Sequence, residues 1–335
     1  MSDLTATPVF NLNQAKKDEF MMSHMNSLSQ FHLENCSEYK TLMEKFERMN
    51  HPFNLLSDVP FVPVRLFKHA DLLSVAKNEV IKTMTSSGTS GQSVSKIFLD
   101  KETSSLQVKV LSKIMGNFIG KKRLPMLVID TKSIISNRKN FSARTAGVLG
   151  FSIFGRDVEF ALNDDMSINY ERVESFIKKY ESEKILIFGF TFIIWKNFLL
   201  ELEKFSKKIN IPKGILFHGG GWKQLESQSV DTSEFKERLL NCTNISKVHN
   251  YYGMVEQTGS IFIECEQGFF HAPSFSDIII RNHQTHKPEN NGSQGLIQLL
   301  SVIPRSYPGH SILTEDLGTI YGVDNCKCGR MGKYF

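Results

Sequence analysis

Hydrophobic and polar positions change period several times along this chain, and the changes outline an architecture. Residues 14 to 48 carry Phe20, Met21, Met25, Leu28 and Phe31 among polar neighbours. That spacing follows one helical face and predicts one or two amphipathic helices packed on a larger body. Pro60 and Pro63 in VPFVPVRLFK then break helicity, because proline donates no backbone hydrogen bond. Downstream, strands are predicted at 124–130, 184–190, 214–217, 247–251 and 296–303. Between them Val173, Phe176, Ile177 and Tyr180 repeat at helical spacing, as do Trp195, Phe198, Leu199 and Leu202. This alternation indicates an α/β fold, with mixed or parallel sheet flanked by helices. Beyond about residue 255, Gly, Pro and Asn punctuation rises and predicts a β-rich C-terminal part.

Composition adds bounds. With 335 residues, 41% hydrophobic and 22% charged, the chain has the make-up of a soluble globular enzyme. The net charge of +5 comes from Lys and Arg dispersed along the chain, which leaves no footprint for nucleic acid. The opening MSDLTATPVFNLNQAKKDEF lacks the basic start and continuous apolar core of a secretion signal, so a cytoplasmic location is expected. Five cysteines without a signal argue against a disulfide framework. The most apolar run, from Ile185 to Trp195, is interrupted by Gly189 and Thr191 and is too short to span a bilayer.

Four segments carry candidate chemistry. TSSGTSGQSVSK, from Thr85 to Lys96, is rich in glycine and hydroxyls and closes on a lysine. Backbone N–H groups, hydroxyl donors and a mobile cation suit a polyphosphate, although such a run also serves as a solvated linker. Gly88 and Gly91 are too close for a kinase-type P-loop. His218-Gly219-Gly220-Gly221-Trp222-Lys223 follows a predicted strand, where open α/β sheets place ligands; a simple glycine turn would read the same way. Tyr251-Tyr252-Gly253-Met254-Val255-Glu256 offers a ring for a base and a carboxylate for Mg²⁺. Leu313-Thr314-Glu315-Asp316-Leu317-Gly318 places an aspartate beside turn chemistry.

In this order the four segments resemble the acyl-adenylate-forming superfamily. VPFVPVRLFK, TSSGTSG, FHGGGWK and the stretch from Pro308-Gly309-His310 to Asp316 are similar to the long-chain acyl-protein synthetase (LuxE-type) family, and CKCGR is similar to phenylacetate-CoA ligases. The resemblance covers residues 59–335, a large adenylate-forming domain behind an N-terminal helical segment, 1–58. It implies that Ser86, Ser87, Gly88, Thr89, Ser90, Gly91 and Lys96 cradle ATP phosphates, with Thr89, Lys96 and Glu256 catalytic. It further implies that Gly219, Gly220 and Gly221 line adenine and carboxylate, that Tyr252 and Gly253 face adenine, that Glu256 binds magnesium and that Asp316 holds ribose. Val255 replaces a usual threonine, Ser93-Val94-Ser95-Lys96 replaces a Pro-Lys ending, and Glu315 replaces a glycine. The superfamily's small mobile domain would follow residue 335, and its absence from the chain is the expectation.

The implied function is ATP-dependent activation of a carboxylic acid, fatty in the LuxE-type reading, as acyl-AMP, followed by transfer to a thiol. That thiol belongs to a protein cysteine, a carrier or coenzyme A, and an acyl reductase or acyl carrier is the implied partner. An aryl- or acyl-CoA ligase, a non-catalytic partner subunit and a phosphotransferase are the rivals. Cys265, His271, Cys326 and Cys328 form a Cys₃His set compatible with structural zinc. Alternatively Cys326 or Cys328, beside Lys327 and Arg330, accepts the acyl group as a thiolate.

Overall fold

The computed structural model describes residues 4, 6–46, 52–86, 94–136, 143–222 and 229–335. The chain divides into two compact units, Met1–Asn117 with Gly253–Phe335, and Phe118–Tyr252. The second unit is thus inserted into the first.

In the first unit, helix α1 (Gln14–Asn35) starts where the Asn13 side chain accepts the Lys16 N–H at 3.0 Å, and the chain turns at Cys36 into α2 (Ser37–Lys45). The buried stripe of α1 is Lys17, Met21, Met25, Ser29 and His32. Met21 and Met25 are core, as the spacing predicts, whereas Phe20, Leu28 and Phe31 flank the stripe and are half-buried. The reason is that three stripe positions are polar, and each is matched by a partner. Lys17 Nζ donates to Ala272 O at 3.1 Å and to Asp277 at 3.2 Å, Ser29 Oγ meets His310 Nε2 at 3.0 Å, and His32 Nδ1 meets Ser74 Oγ at 2.7 Å. Strand β1 (Val62–Pro63), helix α3 (Leu66–His69), the hairpin β2 (Lys82–Thr85) with β3 (Lys96–Leu99), and α4 (Lys101–Ile119) follow.

The second unit is a parallel sheet of β4 (Leu124–Thr131), β5 (Gly155–Leu162), β6 (Ile185–Phe190), β7 (Gly214–Gly219) and β8 (Lys247–Tyr252), in the order β8-β7-β6-β4-β5. Strands β6 and β7 are buried at every position, the near-continuous apolar pattern of strands covered on both faces. Helices α5 (Ser133–Ser136), α6 (Ala143–Ser152) and α7 (Tyr170–Lys179) fill the connections between β4 and β6. After β6, α8 (Thr191–Ile193) runs through a π-helical turn, Ile194–Leu199, into α9 (Leu200–Lys204), and α10 (Thr232–Thr243) precedes β8. Chain order reverses between β4 and β6, which makes their C-terminal ends the topological switch point where such sheets bind ligands.

The chain then returns to the first unit. Strands β9 (Phe262–Glu264), β10 (Phe270–His271), β14 (Gly322–Val323) and β15 (Lys333–Tyr334) pair antiparallel in the order β14-β15-β10-β9. Strands β11 (Ser276–Arg281), β12 (Gln294–Ser301) and β13 (Ser311–Thr319) form an antiparallel sheet to which β1 adds in parallel. The β-rich C-terminal part and the interior strand positions thus follow the reading of the sequence. No helix among the described residues is long and apolar enough to cross a membrane.

Asp277 sits at 0% exposure between Lys17 at 3.2 Å and Lys333 at 2.8 Å. Burial alone would raise its carboxyl pKa, but the two ammonium groups more than offset this and hold it below the ordinary value. Asp277→Ala leaves Lys17 as an uncompensated buried charge and is expected to cost about 3–5 kcal/mol. Lys17→Met should cost less, because Lys333 still faces Asp277. Urea unfolding of both variants checks the order; equal losses would refute it.

His32 and His218 are buried neutral, each pushed by burial from 6.5 down to about 3. The unfolded chain binds these protons more readily, so stability is complete above about pH 6.5 and declines as pH falls from there toward 3. Unfolding midpoints across this window are expected to fall, and less steeply in His32→Gln.

Candidate functional site

In the second unit the candidate residues gather at the C-terminal edge of the parallel sheet. Gly219 ends β7, and Gly220 and Gly221 continue at φ +84° and +61°, a backbone that side-chain-bearing residues rarely adopt. A Cβ on Gly219 would come within 2.7 Å of the Tyr251 ring, and one on Gly220 within 2.7 Å of the Phe190 ring. The turn is therefore held open by rings that lie directly on its backbone. Thr191 Oγ1 donates to Gly219 O at 3.1 Å and accepts from His218 Nδ1 at 2.9 Å, which fixes the imidazole as the Nδ1–H tautomer. Its Nε2 is buried without a hydrogen-bond partner. Below the turn, Phe151 stacks on Phe188 at 4.2 Å and Tyr251 tilts against Phe151 at 5.2 Å. Tyr252, the ring expected to face adenine, ends β8 beside Tyr251 in sequence and is half-buried.

In the first unit Ser86 and Ser95 pair on either side of the candidate phosphate loop. Ser86 N donates to Ser95 O at 3.0 Å, and Ser95 N donates to Ser86 Oγ at 2.9 Å. Ser87, Gly88, Thr89, Ser90 and Gly91 lie outside the described residues. Lys96 begins β3 half-exposed, 3.6 Å from Asp71.

Glu256 is 3% exposed in a short helical turn, and burial raises its carboxyl pKa while Ser95 and Lys68 oppose the rise. Beside it stand Ser95, from the end of the candidate phosphate loop, and two buried polar groups that the sequence did not single out, Tyr307 and its neighbour Gln107. Gly309 fits because it has no Cβ, which would lie 2.6 Å from Glu256 O and against the Tyr307 ring. Gln257 Nε2 secures the same turn by donating to Gly309 O at 2.9 Å and to Leu299 O at 3.1 Å. Asp316 lies exposed on β13, its N–H donating to Thr314 Oγ1 at 3.2 Å.

Cys265, His271, Cys326 and Cys328 converge, with their ligand atoms all within 4.8 Å of one another. Cys265 Sγ lies 3.9 Å from Cys326 Sγ, and Cys328 Sγ 3.3 Å from His271 Nε2. Zinc–sulfur bonds of about 2.3 Å in a tetrahedron set sulfurs roughly 3.8 Å apart, so the cage has the size of that ion. Two turns of one design present the thiols. Gly268 N donates to Cys265 O and Gly329 N to Cys326 O, both at 3.0 Å, with the glycines at φ +83° and +80°. A glycine three places after the first cysteine in both CEQG and CKCG is the sequence signal of that pairing. Burial raises the Cys265 thiol to about 12, whereas burial of Cys328 is outweighed by the N–H and guanidinium of Arg330, which hold it below its ordinary value. His271 Nδ1 is buried without a hydrogen-bond partner.

A family model described as "Acyl-protein synthetase, LuxE" matches residues 3–335. The long-chain-fatty-acid–luciferin-component ligase of Aliivibrio fischeri is 22% identical over 301 residues, 87% of this chain and 76% of that protein. The Vibrio harveyi protein of the same description is 22% identical over 304 residues, with the same coverage. Among solved structures, an open form of 2-hydroxyisobutyryl-CoA ligase, in complex with 2-HIB-AMP and CoA, superposes with a TM-score of 0.70 at 15% identity, covering 97% of this chain and 74% of that one. The fold is thus shared with a CoA ligase of known structure.

Proposed function

The chain belongs to the acyl-protein synthetase family, LuxE, and from that premise we propose how its residues carry the reaction. A member of this family is an acid–thiol ligase that forms an acyl-AMP and passes the acyl group on. The match of the family model over residues 3–335, which spans every motif named above, carries this reading.

In the first step a carboxylate oxygen attacks the α-phosphorus of ATP in line, the bond to the bridging oxygen breaks, and pyrophosphate leaves with the electron pair. Two anions must be brought together, so the protein chiefly positions them and offsets charge. Gly219, Gly220 and Gly221, whose backbone turns beneath the Tyr251 and Phe190 rings, border adenine and the carboxylate. Tyr252 and Gly253 lie against the base, and Asp316, exposed on its strand, binds ribose hydroxyls. Lys96 and the hydroxyls of the phosphate loop meet the polyphosphate. Glu256 fits a magnesium ligand, because a buried carboxylate offers the hard oxygens that this ion prefers. A magnesium ion held there would supply charge neutralisation for the polyphosphate.

In the second step a thiolate attacks the acyl carbon, the bond to the AMP oxygen breaks, and AMP leaves. The long-chain-fatty-acid relatives support a fatty acid as substrate. Cys265, His271, Cys326 and Cys328 bind structural zinc in this reading, which their sulfur spacing supports and which leaves the accepting thiol elsewhere.

Carboxylate-dependent exchange of labelled pyrophosphate into ATP tests the first step. Exchange with long-chain acids is expected, falling at least a hundredfold in Lys96→Ala and Glu256→Ala. Exchange that persists in both variants removes these residues from the reaction.

Purified protein is expected to carry about one zinc per chain. Chelation, or Cys326→Ser, should lower the thermal midpoint by several degrees. Metal well below one equivalent, with an unchanged midpoint after chelation, overturns the zinc assignment.

A further inference from the structure

Phe190 packs in the second unit directly beside the glycine turn. It is the last residue of β6, opposite Gly219 in register, at the switch-point end of the sheet. Although 6% exposed, it lies at the sheet edge where ligands enter rather than in the middle of a layer. Its ring is clasped between two glycines from different elements. A Cβ on Gly220 would come within 2.7 Å of it, and a Cβ on Gly147 of α6 within 2.8 Å.

The two glycines differ in what they explain. Gly220 is at φ +84° and would be glycine for its backbone alone. Gly147 is inside a regular helix, where glycine weakens the helix and no left-handed backbone calls for it. What Gly147 gains is room for the Phe190 ring. That ring then stands edge-on to Phe188 at 5.7 Å and tilted to Phe192 at 6.3 Å, above the Phe151–Phe188 stack. The side chains beside the glycine turn are thus hydrocarbon rings, with Phe190 nearest the turn.

We propose that Phe190 is the specificity-determining residue for the acid, its ring setting how much bulk the site accepts next to the carboxyl group. This rests on the adenylation reading of the glycine turn. A linear alkyl acid lies along these rings. An acid branched at its second carbon, or carrying an aryl ring there, collides with the ring where Gly147 and Gly220 hold it. The chain therefore selects linear aliphatic acids over branched and aryl ones by excluded volume.

The experiment compares pyrophosphate exchange with decanoic, 2-methyldecanoic and phenylacetic acids in the wild type, Phe190→Ala, Phe190→Leu and Phe190→Trp. The ratio of kcat/KM for the linear acid to that for the branched or aryl acid is the readout. It is insensitive to a general loss of activity. At least a tenfold fall in this ratio is expected in Phe190→Ala, a smaller fall in Phe190→Leu and a rise in Phe190→Trp. Ratios within twofold of wild type in all three variants overturn the proposal. If Phe190→Ala fails to fold, Phe190→Leu and Phe190→Trp decide, because both keep most of the buried volume. Absence of exchange with every acid in the wild type sinks the adenylation reading instead. Calorimetric binding of the same three acids then decides for Phe190, an unchanged preference among the variants overturning its role.

Discussion

A carboxylate buried between two ammonium groups holds the first unit together. That unit is assembled from segments on both sides of a long insertion, Met1–Asn117 and Gly253–Phe335, and chain connectivity alone does not hold them in register. Asp277 on β11 binds Lys17 from α1 and Lys333 from β15, and Gln14 adds an amide at 2.9 Å. A buried ion pair adds little net stability over a hydrophobic replacement, since desolvation consumes most of the attraction. Its effect is to make any other register costly, because a shifted α1 would strand Lys17 in a dry interior.

The same junction reaches the cysteine cage. Lys17 Nζ donates to the carbonyl of Ala272, next to His271, and Asp324 accepts from both Gln14 N at 2.9 Å and Gly332 N at 2.7 Å. Met331 N donates to Phe10 O at 2.9 Å. The turn bearing Cys326 and Cys328 is thus braced on the N-terminal segment, so order in the cage and docking of α1 reinforce each other. A metal in the cage would tighten α1 without touching it.

Much of the second unit was legible because parallel strands covered on both faces are nearly continuous apolar runs, and residues 124–129, 185–190 and 214–217 are such runs. The cage was legible because thiols and imidazole have few other uses in such a set. The stripe of α1 was not, since Lys17, Ser29 and His32 are polar and their burial depends on partners hundreds of residues away. Tyr307 and Gln107 stand around Glu256 for the same reason, with no local pattern to announce them. The π-helical turn Ile194–Leu199 was read as regular helix, because widening one turn leaves a four-residue apolar spacing nearly intact. Glycine was the most ambiguous letter. Gly220 and Gly268 answer to backbone geometry, whereas Gly147 and Gly309 answer to what a Cβ would strike, and sequence does not separate the two.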